Sequence, residues 1–236
     1  MRKIVLSILT SVLLTSIFTA YGSNSQTITM TTTDNEVSFL LRGNGIVTID
    51  WGDGSERATQ TLDEQFGAFF QYTYPNATTR TITISGESIT ALSANDNQLT
   101  NLDVREATNL ISLMVMDNQL TNLDVSRNVA LETLWVSNNE LTNLDVSRNT
   151  ALRVLYVGDN LFSADAQNAL FHTLHSNDIE GKTICVGRGS VGVKGDRSIV
   201  DNKGWGFSDI EYLIIDRKLM RQQLDELMKE LMLEFE

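Results

Sequence analysis

Leu131-Glu-Thr-Leu-Trp-Val-Ser-Asn-Asn-Glu-Leu-Thr-Asn-Leu-Asp-Val-Ser-Arg-Asn149 decides the fold. Its apolar residues fall at 131, 134, 136, 141, 144 and 146, with Asn at 139 and 149. The same spelling starts 21 residues earlier at Leu110 and 21 residues later at Leu152, and Ile89 opens a looser copy. A period of that length marks a repeat array, a solenoid whose units bury their apolar face only by stacking on one another. Burial of each apolar side chain stabilises by roughly 1.5–3 kcal/mol. Ordering the backbone opposes that by roughly 1–2 kcal/mol per residue. A lone unit therefore loses, and shared burial with hydrogen bonds between neighbours must supply the difference.

Each unit also divides in two: Leu131-x-x-Leu134-x-Val136-x-x-Asn139 is echoed by Leu141-x-x-Leu144-x-Val146-x-x-Asn149. This L-x-x-L-x-V-x-x-N-x-L pattern resembles the exported bacterial leucine-rich repeat proteins of the 21-residue class. The resemblance implies a leucine-rich repeat solenoid of short parallel strands, with a strand in each half-unit and hence two parallel sheets. It also implies that Asn97, Asn118, Asn139 and Asn160 form an inward structural column satisfying backbone groups of neighbouring units. Asn128 and Asn149 start a second column, which Ala107 does not join. The expected fold is β-rich with minor α: residues 87–160 are the repeats, with caps on both ends because open ends expose strand edges and apolar faces.

Upstream, Arg2 and Lys3 precede an apolar run from Ile4 to Phe18, followed by Ala20-Tyr21-Gly22. A short basic start, an apolar stretch and a small-x-small site describe a secretory signal peptide over 1–22. The run is interrupted by Ser and Thr and is shorter than the roughly 20 residues that span a bilayer. The expectation is an exported chain, periplasmic, cell-surface or extracellular, and not membrane-spanning. Residues 23–86 carry alternating β-branched runs, with Gly43-Asn-Gly45 and Gly52-Asp-Gly54 as turn signals, and read as a small antiparallel β N-terminal cap. Val47-Thr-Ile-Asp-Trp-Gly-Asp-Gly54, then Tyr72-Thr-Tyr-Pro75 and Thr81-Ile-Thr-Ile84, resemble the PKD family of extracellular β-sandwiches. Asp50 and Asp53 have the chemistry of calcium ligands, and general turn preferences favour them as turn residues.

Past Asn160 the period breaks. A helix capped by Ser163, a strand at Lys182–Val186, a short helix after Asp196 closed by Gly204, and a Gly204–Phe207 strand form an α/β C-terminal cap over 161–209. Residues 210–236 place Leu213, Met220, Leu224, Leu227 and Leu231 on one stripe of an amphipathic helix. That stripe packs on the cap, self-associates or docks on a partner.

The chain has 236 residues, 18 Lys+Arg, 30 Asp+Glu and a net charge of −12, which argues against nucleic acid as a partner. One Cys excludes a disulfide framework or multi-thiolate metal site, and Cys185 is expected buried. His172 and His175 stand at helical spacing but lack further ligands nearby, and Gly187-Arg-Gly-Ser-Val-Gly192 lacks the Gly-Lys-Ser/Thr of a phosphate loop. Asp103, Asp124 and Asp145 form an acidic column at about 5 Å spacing. Each repulsion in water is only about 0.8 kcal/mol, and nearby Arg105, Arg127 and Arg148 offset it. No Ser sits in a Gly-x-Ser-x-Gly elbow. The expectation is a non-enzymatic protein without cofactor or metal.

One outward column does invite a functional reading. Between the inward Leu and Val of the first half-strand stand Ser93, Met114, Trp135 and Tyr156, which period-two alternation places on the exposed face. Beside them run Asn95, Met116, Ser137 and Gly158, then Asp96, Asp117, Asn138 and Asp159. Met114, Trp135, Tyr156, Met116, Asp117, Asn138 and Asp159 are the candidate ligand-binding residues for a protein or glycan, in adhesion or host-surface interaction. Stacked large side chains also simply stabilise neighbouring strands. The alternative function is a scaffold or assembly protein self-associating through 210–236.

Overall fold

The computed structural model describes residues 25–187 and 193–208. The signal peptide of 1–22, the Gly-rich stretch beyond Gly187 and the helix of 210–236 lie outside the described residues. Within them the protein is β-rich and leucine-rich-repeat-like, with one sheet that is antiparallel at its N-terminal end and parallel through the repeats.

The N-terminal unit holds β1 (Gln26–Thr32), β2 (Glu36–Asp50), β3 (Ala58–Leu62), β4 (Ala68–Thr73) and β5 (Arg80–Ser93). Thr-x-Thr alternation puts Ile28, Met30, Ile82 and Ile84 inward, where all four are fully buried. β2 pairs with β3 and then β4 along one edge and with β5 along the other. The register slips around Gly43 and Gly45. Only glycine is accommodated at position 43, where φ is +151° and a Cβ would stand 1.9 Å from the Ser88 carbonyl oxygen.

β5 joins the two halves of the molecule. Its first seven residues pair antiparallel with β1, and its last three pair parallel with β7 (Ser112–Met114). The ladder then continues in parallel through β8 (Thr133–Trp135), β9 (Val154–Tyr156), β10 (Thr183–Cys185) and β11 (Gly206–Phe207). From β7 to β9 the register advances by the 21-residue period, so Leu113, Leu134 and Leu155 stack in line, each fully buried.

The second half-units differ from expectation. Only β6 (Leu99–Asp103) is a strand there, and it pairs antiparallel with β1. The later second halves, around Leu120 and Leu141, form no ladder. Each is tied to its neighbour by one backbone bond, Glu140 N–H to Leu120 O and Leu161 N–H to Leu141 O, both 2.9 Å. The next residues turn away at Asp124 and Asp145, whose carboxylates accept from Ser126 and Ser147 N–H.

The inward Asn column does the work expected of it. Asn118 Oδ1 accepts from Asn97 N–H and Leu99 N–H, and its Nδ2 donates to Ala94, Val115 and Met116 carbonyls. Asn139 and Asn160 repeat this pattern one and two units on. Asn97 instead reaches the N-terminal unit, exchanging hydrogen bonds with the backbone of Ser38. In the second column, Asn128 and Asn149 donate to carbonyls, including that of Ala107, while both Oδ1 atoms are buried without a partner.

The C-terminal cap forms as its caps and turns predict. Helix α1 (Ala164–Thr173) starts at Ser163, whose hydroxyl accepts from Ala166 N–H. Helix α2 (Arg197–Asp201) starts at Asp196, and Gly204 closes it at φ +70°.

Candidate binding surface

Cross-strand partners stand on the same side of a sheet. The register Ser93↔Met114↔Trp135↔Tyr156 therefore forms one outward row, as the alternation predicts. Its exposure is uneven. Ser93, Met114 and Trp135 are half-buried, but Tyr156 is only 7% exposed. The expectation that Tyr156 is exposed is corrected. β10 adds a strand beside β9 that pairs Cys185 with Tyr156, and Val186 and Gly187 run close against Gly158, where a Cβ would stand 2.7 Å from Gly187 N. Ser137 and Gly158 are also buried, while Met116 remains half-buried. The open part of the surface is its N-terminal part.

Trp135 and Tyr156 stack with centroids 5.1 Å apart and planes 18° apart. Strands in a ladder are about 4.8 Å apart, so the rings face each other along the row and turn their edges to solvent. Trp135 Nε1 and Ser137 Oγ are buried and have no hydrogen-bond partner. Asp117 is half-buried, and Asn138 and Asp159 are exposed. With Asp96, all three take left-handed backbone, with φ between 53° and 59°. Asp and Asn tolerate this conformation better than other non-glycine residues, which accounts for their column without a ligand. Asn138 Nδ2 also donates to Asp117 Oδ1 at 2.7 Å.

The remaining candidates take structural places. Asp50 and Asp53 cap turns through Gly52 and Ser55 N–H, and Asp50 pairs with Arg57. The Ser55 hydroxyl and N–H, together with the Tyr72 hydroxyl, hold the Asp53 carboxyl below the usual range. Trp51 stacks on Tyr72 at 4.6 Å, and Tyr74 OH donates to Trp51 O, so the Gly52-Asp-Gly54 turn and the Tyr72–Pro75 segment meet in space. Burial pushes the Tyr74 phenol up to about 12. In the acidic column, Arg105 hydrogen-bonds Asp103 and holds it at about 2, and Ser126 lowers Asp124. Arg127 pairs with Glu106 of the preceding unit.

His172 and His175 do not converge on a site. His172 is exposed, whereas the His175 ring is half-buried against Trp205 with both nitrogens engaged. Its Nε2 donates to Leu152 O at 2.7 Å, and Nδ1 accepts from Asn177 N–H. Desolvation, with Lys182 and Lys203 nearby, lowers its pKa. Cys185 is buried. Among the described residues no three His, Cys, Asp or Glu side chains group as metal ligands, and no helix is long and apolar enough to cross a membrane.

No family model matches the chain, and no curated protein matches it. One solved structure matches part of the chain. This is the functional domain of InlJ from Listeria monocytogenes, a leucine-rich repeat protein described as including a cysteine ladder. The two share 25% identity over 42% of this chain and 25% of that one, with a TM-score of 0.29. The chain thus spans a quarter of that protein's length.

Sequence reasoning missed Leu40 and Phe69, which the ladder places in the same outward row: Leu40 pairs with Ser93 on one side and Phe69 on the other. Their alternation was visible in β2 and β4. The register joining them to Ser93 was not, because it connects segments far apart in the chain.

Proposed function

We propose that this chain is an exported, non-enzymatic solenoid module that recognises another protein through its outward sheet face. The observation that carries this reading is the half-exposed row of Ser93, Met114 and Trp135, with Met116 beside it, on a surface otherwise lined by small polar and acidic residues. Large apolar and aromatic side chains dominate interface energetics when a partner desolvates them. Stacking of the Trp135 ring along the row favours a protein over a glycan, because a pyranose needs an open aromatic face and this one offers mainly its edge.

The test is a binding screen of the mature chain on arrays of cell-surface proteins and of glycans, repeated with Met114→Ala/Trp135→Ala. Loss of at least about 2 kcal/mol of affinity with little change in melting temperature is the expected result. Falling stability with unmoved affinity means the row serves strand packing alone. The export component predicts a mature N-terminus close to Gly22, read by N-terminal sequencing. Self-association through 210–236 is the competing reading, and sizing the mature protein with and without that segment separates it.

A further inference from the structure

The outward row does not stop at the first repeat. Phe69, Leu40, Ser93, Met114 and Trp135 stand at one register across β4, β2, β5, β7 and β8. Four strand spacings give a row about 19 Å long. Their chain neighbours Phe70, Leu41, Leu92, Leu113 and Leu134 point the other way and are buried, so the row is one continuous face. Phe69 is 43% exposed, and nearby Phe66, at 75%, is the most exposed large apolar residue described.

The turn that presents Phe66 is built, not loose. Asp63 Oδ1 accepts from Gln65 and Phe66 N–H at 2.8 Å each, and Asp63 O accepts from Gly67 N–H. Glu64 accepts from Asn44 Nδ2 and the Thr90 hydroxyl, tying the turn to β2 and β5. Gly67, at φ +74°, lies against Leu41 O, Arg42 and Leu40, where a Cβ would stand 2.6 Å from that carbonyl. An apolar side chain held out on a pre-organised turn binds without a large ordering penalty.

We propose that the N-terminal unit is more than a cap. It carries the second anchor of the binding face, Phe66 and Phe69, and the occupant is an extended polypeptide segment bearing apolar side chains with Lys or Arg among them. This rests on the binding-face reading above. Charge decides the kind of segment. Asp96 and Asp117 line one margin of the face, with Asn138 beyond them, and Asp63 and Glu64 stand beside Phe66. The other margin carries Ala91, Ser112 and Thr133, with Arg42 at its end. The chain as a whole is at −12. An acidic border favours basic partners and steers their approach. At about 3.3 Å per residue, six to seven extended residues cover the row.

The probe is a labelled, end-blocked octapeptide alternating Leu and Lys, read by fluorescence anisotropy against the full mature chain, with a Leu/Glu octapeptide as control. The expected result is binding of the Lys peptide only, weakening with salt. Trp135→Ala and, separately, Phe66→Ser/Phe69→Ser should each weaken it by at least about tenfold. Should Phe69→Ser disturb folding, Phe66→Ser alone, on the surface turn, carries the test. Loss with Trp135→Ala but none with the Phe variants would overturn the second anchor and leave the binding-face reading standing. Loss with the Phe variants alone would overturn the binding-face reading and the single continuous surface, and would confine binding to the N-terminal unit. No binding of the Lys peptide, equal binding of the Glu peptide, or glycan-array hits in its place would overturn the polypeptide assignment.

Discussion

The N-terminal unit and the repeats share one sheet but hold their strands by different means. β2 and β5 run for 15 and 14 residues, and their long ladders close over an aromatic cluster in which Phe39 meets Phe70 and Trp51, and Trp51 stacks on Tyr72. β7, β8 and β9 are three residues each. Strands that short cannot register themselves, so a side-chain amide in each unit bridges backbone groups of two neighbours. The difference shows how a repeat is cut to 21 residues: the work of a long ladder passes to one buried Asn and a column of Leu.

The largest expected effect tests that transfer. Asn118→Ala removes a side chain that satisfies two backbone donors and three carbonyls. At roughly 1–3 kcal/mol per buried group left unpaired, and with partial relaxation, the loss is about 4 kcal/mol. Asn128→Ala, whose Oδ1 already lacks a partner, should lose about half as much. Urea melts of the two variants check this, and equal losses would mean the columns are equivalent after all. Leu134→Ala, in the apolar column, is expected to lose about 3 kcal/mol. Its outward neighbour Thr133→Ala should lose well under about 1 kcal/mol, and equal values would reverse the two faces.

A smaller effect separates the C-terminal cap from both regions. His175 keeps a lowered pKa because burial and two lysines oppose its charge. The unfolded ring takes its proton near 6.5 and the folded ring only at lower pH, so over that window the unfolded state binds more protons. Stability from the neutral ring is therefore complete above 6.5 and declines as pH falls below it. Thermal melts from about pH 8 to about pH 5 should show this slope, and His175→Gln should flatten it. The smallest effect is spectroscopic. Tyr74 should resist ionisation until about 12, so its contribution to stability is complete below the ordinary value of 10.0 and is lost as pH rises from there through about 12. A phenolate titration in which every Tyr ionises together would contradict its burial against Tyr72 and Arg80.

Which features were legible in the sequence follows from the range of the interactions behind them. The 21-residue period, the inward Leu and Asn positions, the Ser163 and Asp196 caps and the Gly204 stop are written locally, since each rests on spacing or turn chemistry within a few residues. The Asp and Asn column after each strand was equally visible, yet its meaning was not. Left-handed backbone at Asp117, Asn138 and Asp159 explains those residues as well as any ligand does.

By itself, then, the sequence determined the repeat, its buried positions and the helix starts at Ser163 and Asp196, because periodic apolar spacing and capping residues act through near neighbours. Only the tertiary structure decided that Tyr156 is covered, that the second half-units form no parallel sheet, and that Leu40 and Phe69 extend the outward row. Each of these depends on which distant strands pair and at what register. Those are properties of contacts tens of residues apart, and no local pattern encodes them.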